Sequence, residues 1–487
     1  MKKYITILLL FAKKHKAIVL YLSFLILILN ISSVLQYFNF VLHAFDYGLE
    51  HNVLYNTAQG NWFKSGYEVD NYLGDHFSPI ILLYSPFYFA ARFFFIGYTP
   101  LVFQNIAYII GLLAIYKITL TKFNNIFIAT LAVIISSIFA PSIAFLHFHY
   151  HPIALAFPFL LWGLYFIFET NKPYFGVILL LLAALGKEDV GLSVGFIIGA
   201  YAIYNKKYYY IIPAIIACVH TYLSVKFYIP YFRETKQDSL SKFSHLNISY
   251  ILDFKTFLKE NILYVPKINY FFILFSHFLY LPLFTRKLII LAPAFFANYL
   301  TKPGDPLHSG IYFHYDVVTS AILMYLFVDG LYNFSIFINQ RYIGDNSKKI
   351  SILIPKLILV LIFLSTIYPF SSGQLGTRLI FNIIKTVTNK NNFVIYNNLL
   401  DIRSKLKFDD KILFDGFTGG YFEEYPNARC FPGICGESKP FEVKDYKFIL
   451  IQRKNLEDIY YTNIIKSNNF FEYYSNKEFI LFVRSSR

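Results

Sequence analysis

Residues 176–198 read GVILLLLAALGKEDVGLSVGFII, two apolar runs joined by Lys187, Glu188 and Asp189 with almost no hydrophilic loop around them. Charges placed there are costly in a bilayer and demand internal pairing or a charged ligand. Working outward, the same texture recurs. Apolar segments lie at 17–38, 77–97, 99–117, 125–145, 152–168, 174–187, 190–204, 208–229, 268–285, 288–301, 316–337 and 351–370. Most are close to the roughly 20 residues that cross a hydrocarbon core. Of 487 residues, 56% are hydrophobic and 15% charged, which excludes a soluble globular enzyme and a disordered chain. The fold class is an all-α polytopic membrane protein over 1–370, followed by a small α/β soluble domain over 371–487.

The formal net charge of +15 does not point to nucleic acid, because the basic residues form no stripe and the aromatics lie inside apolar runs. They are read as loop lysines obeying the positive-inside rule. Lys2, Lys3, Lys13, Lys14 and Lys16 precede an apolar run without a small-residue cleavage site, as for a retained first helix. If 77–97, which holds Pro79, Pro86 and Arg92, lies at the interface, the remaining eleven segments cross. Basic residues are then roughly fourfold denser on one side. The N-terminus is cytoplasmic and the tail extracytoplasmic. Segments 174–187 and 190–204 are short for full spans.

This topology gathers polar groups on the outer face. The first outer loop, 39–98, brings Asp46, Asp70, Asp75 and His76, and later loops bring His147, His149 and His151. Lys187, Glu188 and Asp189 follow, then His308, His314, Tyr315 and Asp316. Asp46, just after the first helix, suits a base or a cation ligand; a turn residue before Gly48 is the alternative. Asp75-His76 suits a ligand contact or a cap for the interfacial helix. The alternating histidines of HFHYHP would share one face of an extended backbone, able to hold a metal or a phosphate. Lys187 suits a phosphate as a point charge, with Glu188 and Asp189 orienting a sugar or cation; a structural ion pair is the alternative. His314 and Tyr315 stand at the mouth of another span. In the tail, strands are expected at 411–414, 448–451 and 479–483, helices at 392–407 and 455–467. Cys430 and Cys435, in RCFPGIC, are close enough for a small disulfide loop. No phosphate-binding glycine loop, HExxH or GxSxG with plausible partners is present in the sequence.

FDYG with NTAQGNWF, then DHFSPIILLYSPFYF, HFHYHPIALAFPFLLWGLYF, LGKEDVGL and IYFHYD, are similar to a family of bacterial multi-pass membrane proteins. That family is catalogued as a domain of unknown function and grouped with the GT-C glycosyltransferase superfamily. The resemblance spans roughly 40–335. It implies sugar transfer from a polyprenyl-phosphate carrier to an acceptor at the outer face of the bacterial inner membrane. It also implies juxtamembrane helices in the first loop and a catalytic acid at Asp46. The loop reads FDYGLE, without the DxD or ExD pair of many GT-C members, so a role for a divalent cation (Mg or Mn) stays open. The expected enzyme is an inverting glycosyltransferase. Asp46 is its base, and Asp75, His76, His149, His151, Lys187, Glu188, Asp189, His314 and Tyr315 hold substrate or lipid phosphate. Its partners are the bilayer, a polyprenyl-phosphate-linked sugar and an unspecified acceptor, not nucleic acid. A transporter or flippase, or a non-catalytic envelope-assembly protein, are the rival classes.

Overall fold

The computed structural model describes residues 13–67, 71–233, 253–259, 263–300, 314–343, 350–367, 390–416, 418–422, 424–425, 427–431 and 442–485. The first helices are α1 (Lys16–Phe38), α2 (Leu49–Ala58), α3 (Ile81–Phe95), α4 (Thr99–Phe123), α5 (Ile126–Ser137) and α6 (Ala140–Phe148). Next come α7 (Phe157–Glu169), α8 (Pro173–Ala184), α9 (Val190–Tyr204), α10 (Ile211–Leu223), α11 (Val265–Ser276) and α12 (Ala292–Tyr299). Then α13 (Val317–Ile338), α14 (Ile350–Ile367), α15 (Lys390–Arg403) and α16 (Ile459–Ser467) complete the main helices. All twelve apolar segments read from the sequence carry helix. Among the described residues, five stretches are long and apolar enough to cross a membrane: Lys16–Phe38, Thr99–Phe123, Pro152–Glu169, Tyr208–Arg233 and Val317–Arg341. The α5–α6 pair, bent by 53°, makes a sixth, and Ile81–Ala91, Pro173–Ala184, Val190–Tyr204 and Ile352–Leu364 are shorter apolar helices.

Local chemistry sets these boundaries. Asn124 ends α4 in the left-handed region (φ 46°), and Asn125 begins α5 by accepting the Ile128 N–H at 3.0 Å. The α5–α6 bend follows from Pro141, which has no N–H to give the Ser137 carbonyl one turn earlier. Tyr108 Oη donates to that carbonyl instead, at 3.1 Å. Burial separates the centre from the rim. α13 is buried without interruption from Val317 to Leu331, as expected of a helix apolar on every side. On α1, by contrast, Leu20, Phe24, Leu27 and Ile31 are exposed at helical spacing, forming a lipid-facing stripe.

One end of the bundle is closed by ions. Lys122 Nζ reaches Glu169 Oε2 at 2.9 Å and Asp329 Oδ1 at 2.8 Å; Lys287 Nζ reaches Asp329 Oδ1 at 2.9 Å and Glu169 Oε1 at 3.5 Å. Tyr325 Oη accepts from Lys287 Nζ at 2.6 Å and donates to Glu169 Oε1 at 2.8 Å. Thr285 Oγ1 donates to Asp329 Oδ2. Two cations and two anions from α4, α7, α13 and the turn before α12 thus neutralise one another.

The tail forms a five-stranded sheet of order β2-β1-β3-β5-β4. Its strands are β1 (Ile412–Phe414), β2 (Ala428–Cys430), β3 (Phe448–Gln452), β4 (Phe470–Ser475) and β5 (Phe479–Arg484). β1 runs parallel to β2 and β3, whereas β5 runs antiparallel to β3 and β4. Central β3 is buried on both faces. Cys430 is disulfide-bonded and Cys218 is free, while Cys435 lies outside the described residues.

Candidate active site

After α1 the chain returns through a single wide helical turn, Ala44–Gly48, directly into α2. Asp46 lies in that turn, its side chain 21% exposed, and Glu50 follows one turn later, buried. His151 stands between the two carboxylates: its Nε2 is 3.9 Å from Asp46 Oδ1 and its Nδ1 3.5 Å from Glu50 Oε1. Tyr72 Oη donates to Glu50 Oε1 at 2.6 Å. The imidazole is set by Gln104 near the start of α4. Gln104 Oε1 accepts the His151 N–H at 3.3 Å, and Nε2 donates to the carbonyls of Phe145, Leu146 and His149, each at 3.2 Å. The Phe148 ring stacks on His151 at 5.7 Å between centroids. On the same helix α4, Lys122 lies about 27 Å further along the axis at 1.5 Å per residue. The site and the neutral ionic cluster therefore occupy opposite ends of the bundle.

The Lys187–Asp189 turn between α8 and α9 supplies the second half of the site. Glu188 does not pair with its neighbour Lys187. It accepts from His76 Nδ1 (Oε1, 3.1 Å) and from the Phe77 N–H (Oε2, 3.1 Å). Asp75 Oδ2 lies 3.8 Å from His76 Nε2. Among the described residues Lys187, 9% exposed, makes no hydrogen bond and no ion pair; its Nζ lies 5.1 Å from the centroid of the Tyr315 ring. Asp189 Oδ1 and Glu50 Oε2 are buried without a hydrogen-bond partner.

The electrostatics follow from burial first. Desolvation raises Asp46, opposed in part by the neighbouring His151. It pushes Glu50 up to about 8 despite the Tyr72 hydrogen bond, so this carboxyl is protonated at neutral pH. Burial drives His151 down to about 4 even beside Asp46. Burial would also raise Glu188, but the charge and hydrogen bond of His76 overcome it and hold Glu188 at about 2. For Lys187 burial favours loss of the proton, and Asp189 and Glu188 more than restore it, leaving a buried ammonium. The two halves share one field, since His151 feels both Asp46 and Lys187.

Of the residues singled out in the sequence, Asp46, Asp75, His76, His151, Lys187, Glu188, Asp189 and Tyr315 thus belong to one polar region. His149 meets the His43 ring edge-on at 5.4 Å, its Nδ1 buried and without a hydrogen bond. His147 does not share their face: α6 runs on through Phe148, so His147 is helical and turns to Gln36 Nε2 at 2.9 Å on α1. Asp70 and His308 lie outside the described residues, as does the His314 side chain. Asp316 Oδ1 accepts from Tyr270 Oη at 2.5 Å and Asn298 Nδ2 at 3.0 Å. Glu50 and Tyr72 were not legible as site residues; the only signal was the spacing of four between Asp46 and Glu50, one helical turn. Among the described residues no group of three or more His, Cys, Asp or Glu side chains is arranged to hold a metal ion.

The tail touches this loop directly. Asp415, just after β1, accepts from Thr418 N at 2.9 Å, Thr418 Oγ1 at 2.8 Å, Gln452 N at 2.8 Å and Asn455 Nδ2 at 2.9 Å, fixing the TGGY turn. Tyr67 Oη donates to Gly419 O at 2.6 Å, and a Cβ on Gly48 would lie 2.8 Å from the same oxygen. Only glycine permits that approach.

A family described as "Predicted membrane protein (DUF2079)" matches residues 36–400, three quarters of the sequence. The chain belongs to this family. A comparison of the DUF2079 protein with curated sequences finds no match. Among solved structures it is similar to ArnT from Cupriavidus metallidurans bound to undecaprenyl phosphate, with TM-score 0.50 and 9% identity. That likeness covers 95% of this chain and 98% of the other, and gives the DUF2079 protein a GT-C fold. Chemically, its site offers a carboxylate open to solvent, a neutral imidazole, a protonated carboxyl and an ammonium that makes no ion pair among the described residues.

Proposed function

We propose that this DUF2079 protein is a membrane glycosyltransferase. It takes a sugar from a polyprenyl-phosphate donor and transfers it, with inversion, to an acceptor at the outer face of the bacterial inner membrane. The observation that carries the reading is Lys187, a buried ammonium that, among the described residues, no side chain pairs with by contact. A lipid-anchored phosphate supplies the missing anion. The acceptor hydroxyl gives its proton to Asp46, and its oxygen attacks the anomeric carbon. The bond to the phosphate oxygen breaks with both electrons going to the phosphate, whose charge Lys187 steadies. One displacement inverts the centre. The raised pKa of Asp46 suits this work, since a more basic carboxylate is the better proton acceptor.

Asp46→Asn keeps the shape and removes the base. Polyprenyl-phosphate binding survives while sugar transfer falls by about 100-fold or more. Full transfer by Asp46→Asn moves the base elsewhere, with Glu50 the next candidate. The accompanying topology places the N-terminus in the cytoplasm and the tail outside. A cysteine at position 206 is then labelled only from the cytoplasmic side, and one at position 477 only from the opposite side. The reverse pattern overturns the orientation.

A further inference from the structure

The lipid-facing side of α1 leads directly to the tail. Leu20, Phe24, Leu27, Ile31 and Leu35 are exposed along that side. Phe38 follows Leu20 by eighteen residues, five turns of about 3.6, and so belongs to the same line. Phe38 is half-buried, and two residues of the tail helix α15 stand beside it. Its ring centroid lies 5.1 Å from that of Tyr396 and 6.4 Å from that of Phe393. The first turn of α15 is therefore packed on the side of α1 that faces lipid. Its level follows from length: Lys16 and Phe38 are about 33 Å apart at about 1.5 Å per residue, close to the roughly 30 Å of a hydrocarbon core. Phe38 thus sits where acyl chains give way to headgroups, and the first turn of α15 sits with it. Phe393 and Val394, in that turn, are 48% and 46% exposed. We propose that these two side chains enter the bilayer surface and anchor the tail to the membrane.

The occupant of this face is lipid, because the face continues a surface that is already in lipid. Helices that lie in the interface place apolar side chains, phenylalanine among them, about 5–10 Å into the headgroup–acyl boundary. The other half of α15 is tied to the sheet and so can transmit the hold. Asn476 Nδ2, between β4 and β5, donates to Asn398 O at 2.7 Å and to Asp401 Oδ2 at 3.1 Å. Tyr474 Oη donates to the same carboxylate oxygen at 3.0 Å. The Tyr396 ring also meets Tyr37 at 5.6 Å and Tyr421 of the TGGY turn at 5.8 Å. The anchor, the sheet and the turn packed against the Asp46 loop thus form one unit seated on the membrane. The proposal rests on α1 crossing the bilayer and not on the transferase reading.

The test uses the full-length protein with Cys218→Ala and one added cysteine carrying the fluorophore NBD, in phosphatidylcholine vesicles. The vesicles hold a quenching doxyl label either high on the acyl chain or at its end, and emission from the parent without an added cysteine is subtracted. Phe393→Cys and Val394→Cys lose emission to the shallow label and less of it to the deep one. Leu27→Cys, midway along α1, shows the opposite order. Lys444→Cys serves as the aqueous reference: it is exposed and precedes β3 at the end of the sheet remote from Phe479, the residue that meets Phe40. It is quenched by neither label. Detergent melting of both α15 variants matches the parent, since the replaced side chains are already half-exposed. Absence of quenching at 393 and 394 overturns the inference and leaves a face open to water or to another protein. Stronger quenching there by the deep label overturns it too, as does equal quenching at 393 and 444, which would lay the whole tail on lipid without a dedicated anchor.

Discussion

The two ends of the bundle treat a buried lysine in opposite ways. Lys122 and Lys287 each contact both Glu169 and Asp329, and Tyr325 and Thr285 take up further hydrogen bonds. Lys187 has two acids beside it in sequence, yet Glu188 is committed to His76 and the Phe77 amide, and among the described residues the contact the ammonium makes is with the Tyr315 ring. Burying an ion costs several kcal/mol unless partners restore what water supplied. The first end restores it internally and has nothing left to bind. The second restores it through the fields of Asp189 and Glu188 rather than by a direct ion pair. Buried charge alone therefore does not distinguish the two ends; direct pairing does.

The comparison can be broken most forcefully at its satisfied end. Asp329→Asn removes a carboxylate shared by both lysines and should cost about 3–5 kcal/mol, seen as a large drop in detergent melting temperature. Adding Lys122→Met should recover part of that loss, because the orphaned cation goes with it. A wild-type melt for Asp329→Asn would mean the cluster is decorative. At the other end, Lys187→Met should leave melting nearly unchanged and weaken polyprenyl-phosphate binding by on the order of tenfold, the worth of a hydrogen bond to a charged group. Collapse of the fold instead would make Lys187 structural and erase the contrast.

Glu50 gives the smallest and most specific effect. Its folded pKa of about 8 lies above the ordinary 4.5, so the stabilising form is the protonated one. That contribution is complete below the ordinary value and is lost as pH rises through about 8. Glu50→Gln mimics the protonated carboxyl. Its melting temperature should match wild type near pH 5 and exceed it by a few degrees near pH 9. Parallel curves over that range would show that Glu50 is not held neutral.

Most of the architecture was legible because membrane insertion writes long apolar runs into the chain, and each of the twelve is helical. Asp46, His151 and Lys187 were legible for a related reason: a charge or imidazole at the end of an apolar run has few innocent explanations. Glu50 was not, since an acid in the first turn of a helix is ordinary for the helix dipole. The Lys122–Glu169–Lys287–Asp329 cluster was invisible for another cause. Its pairing joins residues 42 to 207 positions apart in sequence with no local pattern to announce it. His147 was misplaced because alternation suggests a strand, whereas its backbone is the last turn of α6.

The contact between the loop of Asp46 and the TGGY turn has a consequence for how the molecule is made. Leu42 and Tyr421, whose backbone N–H and hydroxyl meet at 3.5 Å, are separated by 379 positions. At about 5–20 residues per second, the ribosome needs roughly 20–75 s to bridge that interval. Until then the loop lacks the surface that Gly48 fits against. The nascent protein can thread its helices into the bilayer early, but the turn that carries Asp46 acquires its final shape only after Tyr421 has been made.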